Sequence, residues 1–490
     1  MTARPVQAEI TTFQTPYRAA LPAMLVLYLA LLQGTSFTLT LAIRFQPEGG
    51  IYATLVTLIW LASYAIAFLG LVVAFGVNWL TWLVRYRLLL TLLLAGVAFS
   101  AIWSIDASLS AERSVHLIGS TLVALYIGFS LPLTTILTTT AKILGALVFS
   151  SLLAALLYPE IGLEQYEGQL AWRGVMASKN TLGFWSAITV LLHLNLLRWP
   201  QTLLKKLINV VVISIAAVCL VYSSSATAVL ALMIAALLMI YMYTAFSFRL
   251  GMAAMIVLGL LVCALAGFAF WFIDTAELIG RSGDLTGRGE VWSQTWQLIL
   301  NKPLTGYGYG ALWFPTDTSL WIQQSLFDFT WTVFHAHNGL LQVASEIGLP
   351  LTALMLLLII QQLIEIIYCQ YQRQQQGVLF VLGFTVALLV SNYSEARLLV
   401  NRDLYWIFFI ALPVSMLQQV TVSAQSTVPL PIPIPLSPRL REKVGSGQES
   451  RARRQALKKK LDIRHQRLAQ DDDVIKIVEK SDSQNQSRNH

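Results

Sequence analysis

An all-α, polytopic membrane fold is predicted by three observations. The 490 residues are 56% hydrophobic and only 12% charged, with mean hydropathy +0.65, too apolar for a soluble globular protein of this size. Apolar runs near the ~20 residues that cross a bilayer recur along the chain. Basic residues gather in alternate short loops, as the positive-inside rule requires.

Spans are expected at 20–42, 52–76, 88–104, 114–134, 140–158, 180–198, 206–223, 226–246, 251–273, 338–368, 377–394 and 404–420, about twelve helices. The polar start "MTARPVQAEITTFQTPYR" has no small-residue cleavage site before the first run, so that run is read as a retained span. "GFSLPLTTILTTTAKILG" reads equally as a loop or as a continuation of its neighbours. Arg85, Arg87, Lys142, Arg198, Lys205, Lys206, Arg249 and Arg373 mark one set of loops as cytoplasmic. An even number of spans then puts both termini on that side. The opposite, outer set includes one long segment, 274–336. Cys219, Cys263 and Cys369 sit in or beside apolar runs with neither pairing nor zinc spacing.

Two regions follow: a transmembrane domain over 1–420 and a tail over 421–490. The tail opens on the Pro-rich "VPLPIPIPLSP", an extended spacer. Its 14 basic against 8 acidic residues carry most of the chain's +8 charge. It is expected to be disordered and held near anionic lipid heads. It has no nucleic-acid recognition motif or aromatic interleaving. No internal repeat is visible.

Polar residues concentrate in the outer connections. In "AWRGVMASKNTLGFW", Arg173 and Lys179 precede a helix beginning near Asn180. A helix N-terminus with an arginine fork beside it suits phosphate oxygens, although the pair also suits a helix end anchored at lipid heads. In the long segment, the spacing of Trp292, Trp296, Ile299 and Leu300 predicts an interfacial amphipathic helix opened by Arg288 and Glu290 and closed by Pro303 and Gly306. Arg281 and Arg288 stand among glycines. "GYGYG" reads as a flexible aromatic turn, without the GK[ST] ending of a phosphate loop.

"FHAHNGLLQVASEIGLP" is the least expected stretch. Asn338, Gln342 and Glu346 share one stripe behind His335 and His337. Glu346 lies roughly 13 Å beyond His337 along a continuous helix. Polar groups at that depth face a cavity or a protein partner. Gly348 and Pro350 predict a kink below them. Histidine there is a general base, a ligand or an interface residue, metal ligation being the least favoured. "SNYSEARLLVNRDLYW" adds Glu395 and Arg397 on the same side. Several arginines and one candidate base at a membrane surface suit a lipid-linked diphosphate and an activated hydroxyl. No Asp-x-Asp motif lies in these loops, so no metal and no cofactor is expected.

"RGVMASKNTLG", "GRGEVWSQTWQLILNKPLTGYGYG" and "HNGLLQVASEIGLP", with "SAIWSIDASLS" and "SNYSE", resemble in their order the motifs of the O-antigen ligase and polymerase superfamily, most closely its exopolysaccharide-polymerase-like branch. The resemblance covers roughly residues 90–410. It implies a metal-independent, inverting, membrane-embedded glycosyltransferase at the periplasmic face of a bacterial inner membrane. The implied partners are an undecaprenyl-diphosphate-linked glycan donor, a glycan or lipid acceptor, membrane lipids, and a chain-length regulator or export partner. Arg173 and Arg288 match the diphosphate-binding arginines, and His337 matches the histidine that activates the acceptor. Lys179, placed with the diphosphate site, and Asn180, Asn338 and Glu346 lie in the same motifs, with Arg281 and Glu395 as supporting residues. Pro350 and Leu351 stand where the pattern has a second glycine, and the basic tail lies outside the pattern.

A polymerase and a ligase are both compatible with these motifs, because the acceptor is read by shape. A small-anion transporter would need charged groups through the midplane and on both sides, whereas these cluster on one. A non-catalytic assembly protein leaves the histidine and two arginines unexplained.

Overall fold

The computed structural model describes residues 17–34, 51–166, 169–247, 288–326, 333–373 and 376–426, with Gly259 and Gly267 besides. The expected span 251–273, apart from those two glycines, the site residue Arg281 and the tail beyond 426 lie outside the described residues.

Apolar runs become helices. α1 is Tyr17–Gly34, α2 Ile51–Phe75, α3 Asn78–Tyr86, α4 Leu88–Phe99, α5 Ala107–Ser130 and α6 Leu133–Leu157. After a short β-hairpin come α7 Lys179–Leu197, α8 Leu203–Tyr222 and α9 Ala226–Ser247. Then follow α10 Arg288–Asn301, α11 Asp317–Leu326, α12 Gly339–Arg373, α13 Val378–Ser391 and α14 Leu404–Ser426.

Among the described residues six helices are long and apolar enough to cross a bilayer, those within α2, α6, α7, α8, α9 and α12. A seventh arises if α3 and α4, bent by 97°, count as one span. Shorter apolar helices lie at Ala20–Gly34, Val378–Ser391 and Leu404–Gln418. The protein is therefore an α-helical, multi-pass membrane protein.

Local sequence sets the helix ends. Pro132 divides α5 from α6, resolving the ambiguity of "GFSLPLTT": it holds Leu131 extended at φ −118°, ψ 134°. Asp106 caps α5, its carboxylate accepting from the Leu109 N–H at 2.9 Å. Ser178 caps α7 through the Thr181 N–H at 3.2 Å.

Many of the hydroxyls buried in the bundle bond to the helix backbone. Ser63, Ser120, Thr121, Thr189 and Thr385 each donate to the carbonyl one turn back. α5 packs along α14. There the Trp406 indole donates to Thr121 Oγ1 at 2.9 Å and Ser415 Oγ donates to the Leu131 carbonyl at 2.7 Å. Gly128 lets the two backbones approach, since a Cβ there would stand 2.9 Å from the Ala411 carbonyl oxygen.

Arg87 is not the loose loop charge that its place between two helices predicts. It is buried, and it grips Glu365 of α12 through Nη1–Oε1 at 3.0 Å and Nη2–Oε2 at 2.7 Å.

The strands β1 Leu163–Tyr166 and β2 Gln169–Trp172 pair antiparallel, from Leu163 opposite Trp172 to Tyr166 opposite Gln169. This hairpin was not expected in an all-α chain. Each strand is only four residues long, too short for alternation to stand out.

Candidate functional site

α12 carries a break that builds the site. Gly348 has φ 79°, ψ 167°, outside the helical region, so the kink expected from Gly348 and Pro350 is present. A break frees backbone groups that must find partners in an apolar setting. The segment 303–308 supplies them. The Leu349 N–H donates to the Pro303 carbonyl at 2.8 Å. The Ser345 and Glu346 carbonyls accept from the Tyr307 and Gly308 N–H groups at 2.9 and 2.8 Å.

"GYGYG" is thus not the flexible turn its glycines predict. It is a buried clasp, with Gly306, Gly308 and Gly310 at φ 65°, 99° and 69°. Behind it, Trp103 Nε1 donates to the Thr305 carbonyl, Ile105 N–H to the Tyr307 carbonyl and Ser110 Oγ to the Tyr309 carbonyl. That gives "SAIWSIDASLS" its role: it backs the clasp. The Tyr309 hydroxyl donates to the Leu399 carbonyl at 2.5 Å, and burial raises its pKa.

The stub of α12 above the break presents the histidine loop. Asn338 caps it, Oδ1 accepting from the Leu340 and Leu341 N–H groups at 3.0 and 3.1 Å. His337 is partly buried and left-handed, at φ 49°. Its peptide is held on both sides. The Trp292 indole of α10 donates to its carbonyl at 3.2 Å, and its own N–H donates to His335 Nδ1 at 3.2 Å. The two imidazoles lie 3.9 Å apart, centroid to centroid. Behind them the Ala336 N–H donates to Gln342 Oε1, and Gln342 Nε2 donates to Glu346 Oε1, each at 3.1 Å. Glu346 is 5% exposed, so its carboxylate braces this loop from within, with Arg113 of α5 as an attractive charge.

Segment 391–403 joins this wall to α7. Asn338 Nδ2 donates to the Tyr393 carbonyl at 3.1 Å, and the Gly339 N–H to the Asn392 carbonyl at 2.8 Å. Asn180 Nδ2 donates to Glu395 Oε1 at 2.7 Å. Arg397 is buried over the Phe184 and Tyr405 rings and donates to Ser391 Oγ and the Asn180 carbonyl, which makes it a structural tie. Asp403 accepts from the Tyr405 N–H, and burial raises its pKa from 3.8 to about 7.

Arg173 and Lys179 stand on the hairpin side. Gly174, at φ 59°, turns the chain tightly over Ser151, where a Cβ would meet the serine Cβ at 2.2 Å. Arg173 Nε donates to the Ile161 carbonyl at 2.9 Å, while its buried Nη2 has no hydrogen-bond partner among the described residues. A fixed guanidinium with one buried free donor fits a ligand oxyanion. Lys179 is buried, and Nζ reaches the Ser224 carbonyl at 3.5 Å. It also acts on Glu164 of β1, whose pKa burial raises and Lys179 lowers in part. Trp172 stacks on Tyr222 at 4.5 Å beside Arg173.

Among the sequence-predicted residues, Asn180 and Glu395 bond directly. His337, Asn338 and Glu346 lie together on the histidine loop and the stub of α12, Lys179 and Asn180 open α7, and Arg173 precedes it. Arg288 opens α10, one turn before Trp292, but its side chain lies outside the described residues, as does Arg281. Sequence reasoning passed over Trp292, Arg113 and the acceptor role of His335. Among the described residues no three His, Cys, Asp or Glu side chains are grouped to hold a metal.

The fold and this end of it define a class: a multi-pass membrane protein whose broken helix offers a histidine beside arginine-bearing connections. Residues 210–356 match the family described as O-Antigen ligase. The match takes in Arg288, His337, Asn338 and Glu346, and leaves Arg173, Lys179, Asn180 and Glu395 outside it. A 259-residue stretch is 27% identical to the exopolysaccharide production protein ExoQ of Rhizobium meliloti (strain 1021), covering 50% of this chain and 58% of that relative. With the ordered motifs, these matches support the O-antigen ligase/polymerase superfamily; the chain spans 58% of the length of the relative it matches.

Proposed function

We propose that the protein polymerises undecaprenyl-diphosphate-linked oligosaccharide at the periplasmic face of the bacterial inner membrane, as a metal-independent, inverting glycosyltransferase. The chain crosses about twelve times on this reading, with both termini cytoplasmic. The carrying observation is His337, held by its peptide on two sides at the mouth of a broken helix. Its imidazole takes the proton of an acceptor hydroxyl as that oxygen attacks the anomeric carbon of the donor. The bond from that carbon to the diphosphate breaks, and the diphosphate leaves with the electron pair. Arg173, Arg288 and Lys179 stabilise the charge that develops on it. Attack from the face opposite the leaving group inverts the anomeric centre.

A ligase, passing a finished glycan to a lipid or protein acceptor, is the second reading. The family description favours it, whereas the relative's role in exopolysaccharide production favours the polymerase.

The test is a deletion strain complemented with His337→Ala, Arg173→Ala or Arg288→Ala. Each variant should insert at normal level and abolish long chains. Single lipid-linked repeat units accumulate if the protein is a polymerase; full-length unligated glycan accumulates if it is a ligase. Normal polymer from the His337 variant overturns both readings.

A further inference from the structure

Two hydrogen bonds fix the His337 peptide, and the site proposed above uses only one of the two histidines in "HAHN". The acceptor for the His337 N–H is a side chain two residues back, His335 Nδ1 at 3.2 Å. A left-handed non-glycine residue is held against its own backbone preference only when its surroundings over-determine it. His337, at φ 49°, is such a residue. Its surroundings supply three restraints. Trp292 holds its carbonyl. His335 holds its N–H and packs its ring 3.9 Å from the His337 ring. The Gln342 amide holds the N–H of the intervening Ala336, and Glu346 orients that amide.

The orientation is chemically specific. The Ala336 N–H needs the oxygen of the Gln342 side chain, so its –NH₂ points at the Glu346 carboxylate. A donated N–H needs a bare ring nitrogen, so neutral His335 carries its proton on Nε2. Ala336 and His337 thus both donate their backbone N–H groups to side-chain acceptors, one from each flank of the loop.

We propose that His335 is a positioning residue for His337. By accepting the His337 N–H, it sets the left-handed turn that aims the His337 imidazole, with the Gln342–Glu346 pair fixing the preceding peptide. This rests on the reading of His337 as the base. It predicts that what matters at 335 is an acceptor atom at the place of Nδ1. The basicity of an imidazole there is immaterial. Asparagine supplies that atom, its Oδ1 being as far along the side chain as Nδ1. Leucine has the same size and shape without it.

The test uses the full-length protein in proteoliposomes with a lipid-linked oligosaccharide substrate. His335→Leu should lose roughly 10- to 100-fold in kcat, the scale of a misplaced catalytic group, with KM little changed. His335→Asn should recover most of that loss. His337→Ala is run beside them. If it keeps full activity, the base assignment itself fails. If it is inactive while His335→Leu turns over like the parent, or while Leu and Asn fall equally, positioning by His335 is overturned and the base assignment survives. Should His335→Leu not accumulate as folded protein, Trp292→Phe loosens the same peptide from its carbonyl side. It must then lower kcat without raising KM, and an unchanged kcat overturns the proposal.

Discussion

Asn180 Nδ2 and Glu395 Oε1 meet at 2.7 Å across 215 positions of sequence. Asn180 lies in the first turn of α7, and Glu395 in the connection that also receives Asn338 and Gly339. This bond therefore joins α7, which Lys179 opens, to the connection that holds the histidine loop. A hydrogen bond to an ionised group contributes about 1.5–3 kcal/mol when buried, and this one is partly exposed. Glu395→Ala should lower stability by about 1 kcal/mol and cut glycan elongation more than stability alone explains. Glu395→Gln, which keeps an acceptor oxygen, should retain most of both. Thermal unfolding in detergent and polymer length check the two halves separately.

Gly348 is a sharper case. At φ 79° and ψ 167° its backbone lies in a region open to glycine alone, and a Cβ would stand 2.3 Å from the Leu304 carbonyl oxygen. Gly348→Ala should cost at least about 1–3 kcal/mol and dislodge the 303–308 clasp. A melting temperature equal to that of the parent would contradict the clasp.

Asp403 gives a pH dependence of known sign. Burial raises its carboxyl from 3.8 to about 7, so the folded state binds this proton more tightly than the unfolded chain does. Its contribution is full below about pH 4 and is lost as pH rises towards 7. Asp403→Asn keeps the acceptor for the Tyr405 N–H and removes the titration. The variant should gain in melting temperature over the parent at pH 8 and not at pH 4. An equal difference at both pH values would refute the shift.

Arg87 and Glu365 form a pair with side-chain exposures of 3% and 22%. Removing one partner leaves a charge in an apolar setting, which costs about 3–5 kcal/mol. Arg87→Leu alone should be severely destabilised, and Arg87→Leu with Glu365→Leu should recover most of the loss. Unfolding of the two variants in detergent measures the coupling; a double variant as unstable as the single one would refute it.

The membrane-capable helices were legible because bilayer thickness imposes a length on apolar runs, although six or seven of the twelve expected spans are that long among the described residues, and α10 was legible because its tryptophans repeat at helical spacing. The break at Gly348 was legible from glycine and proline together. The clasp was not. Glycine reports that unusual backbone angles are open, and only the partners Ser345 and Glu346 decide that the angles are fixed. Glu346 had no legible role for a related reason: its significance lies in Gln342, whose amide it orients toward Ala336. His335 looked redundant because a hydrogen bond to a neighbour two residues on depends on the handedness of the residue it holds.

The break in α12 has a mechanical consequence. Residues 339–347 are bound to the clasp and to the 391–403 connection, whereas beyond Gly348 the helix runs on from the Leu349–Pro303 bond to the Arg87–Glu365 pair. A long apolar helix tilts to match the thickness of the lipid around it. A change of tilt that bent the helix at Gly348 would leave the histidine loop resting on the clasp and the 391–403 connection.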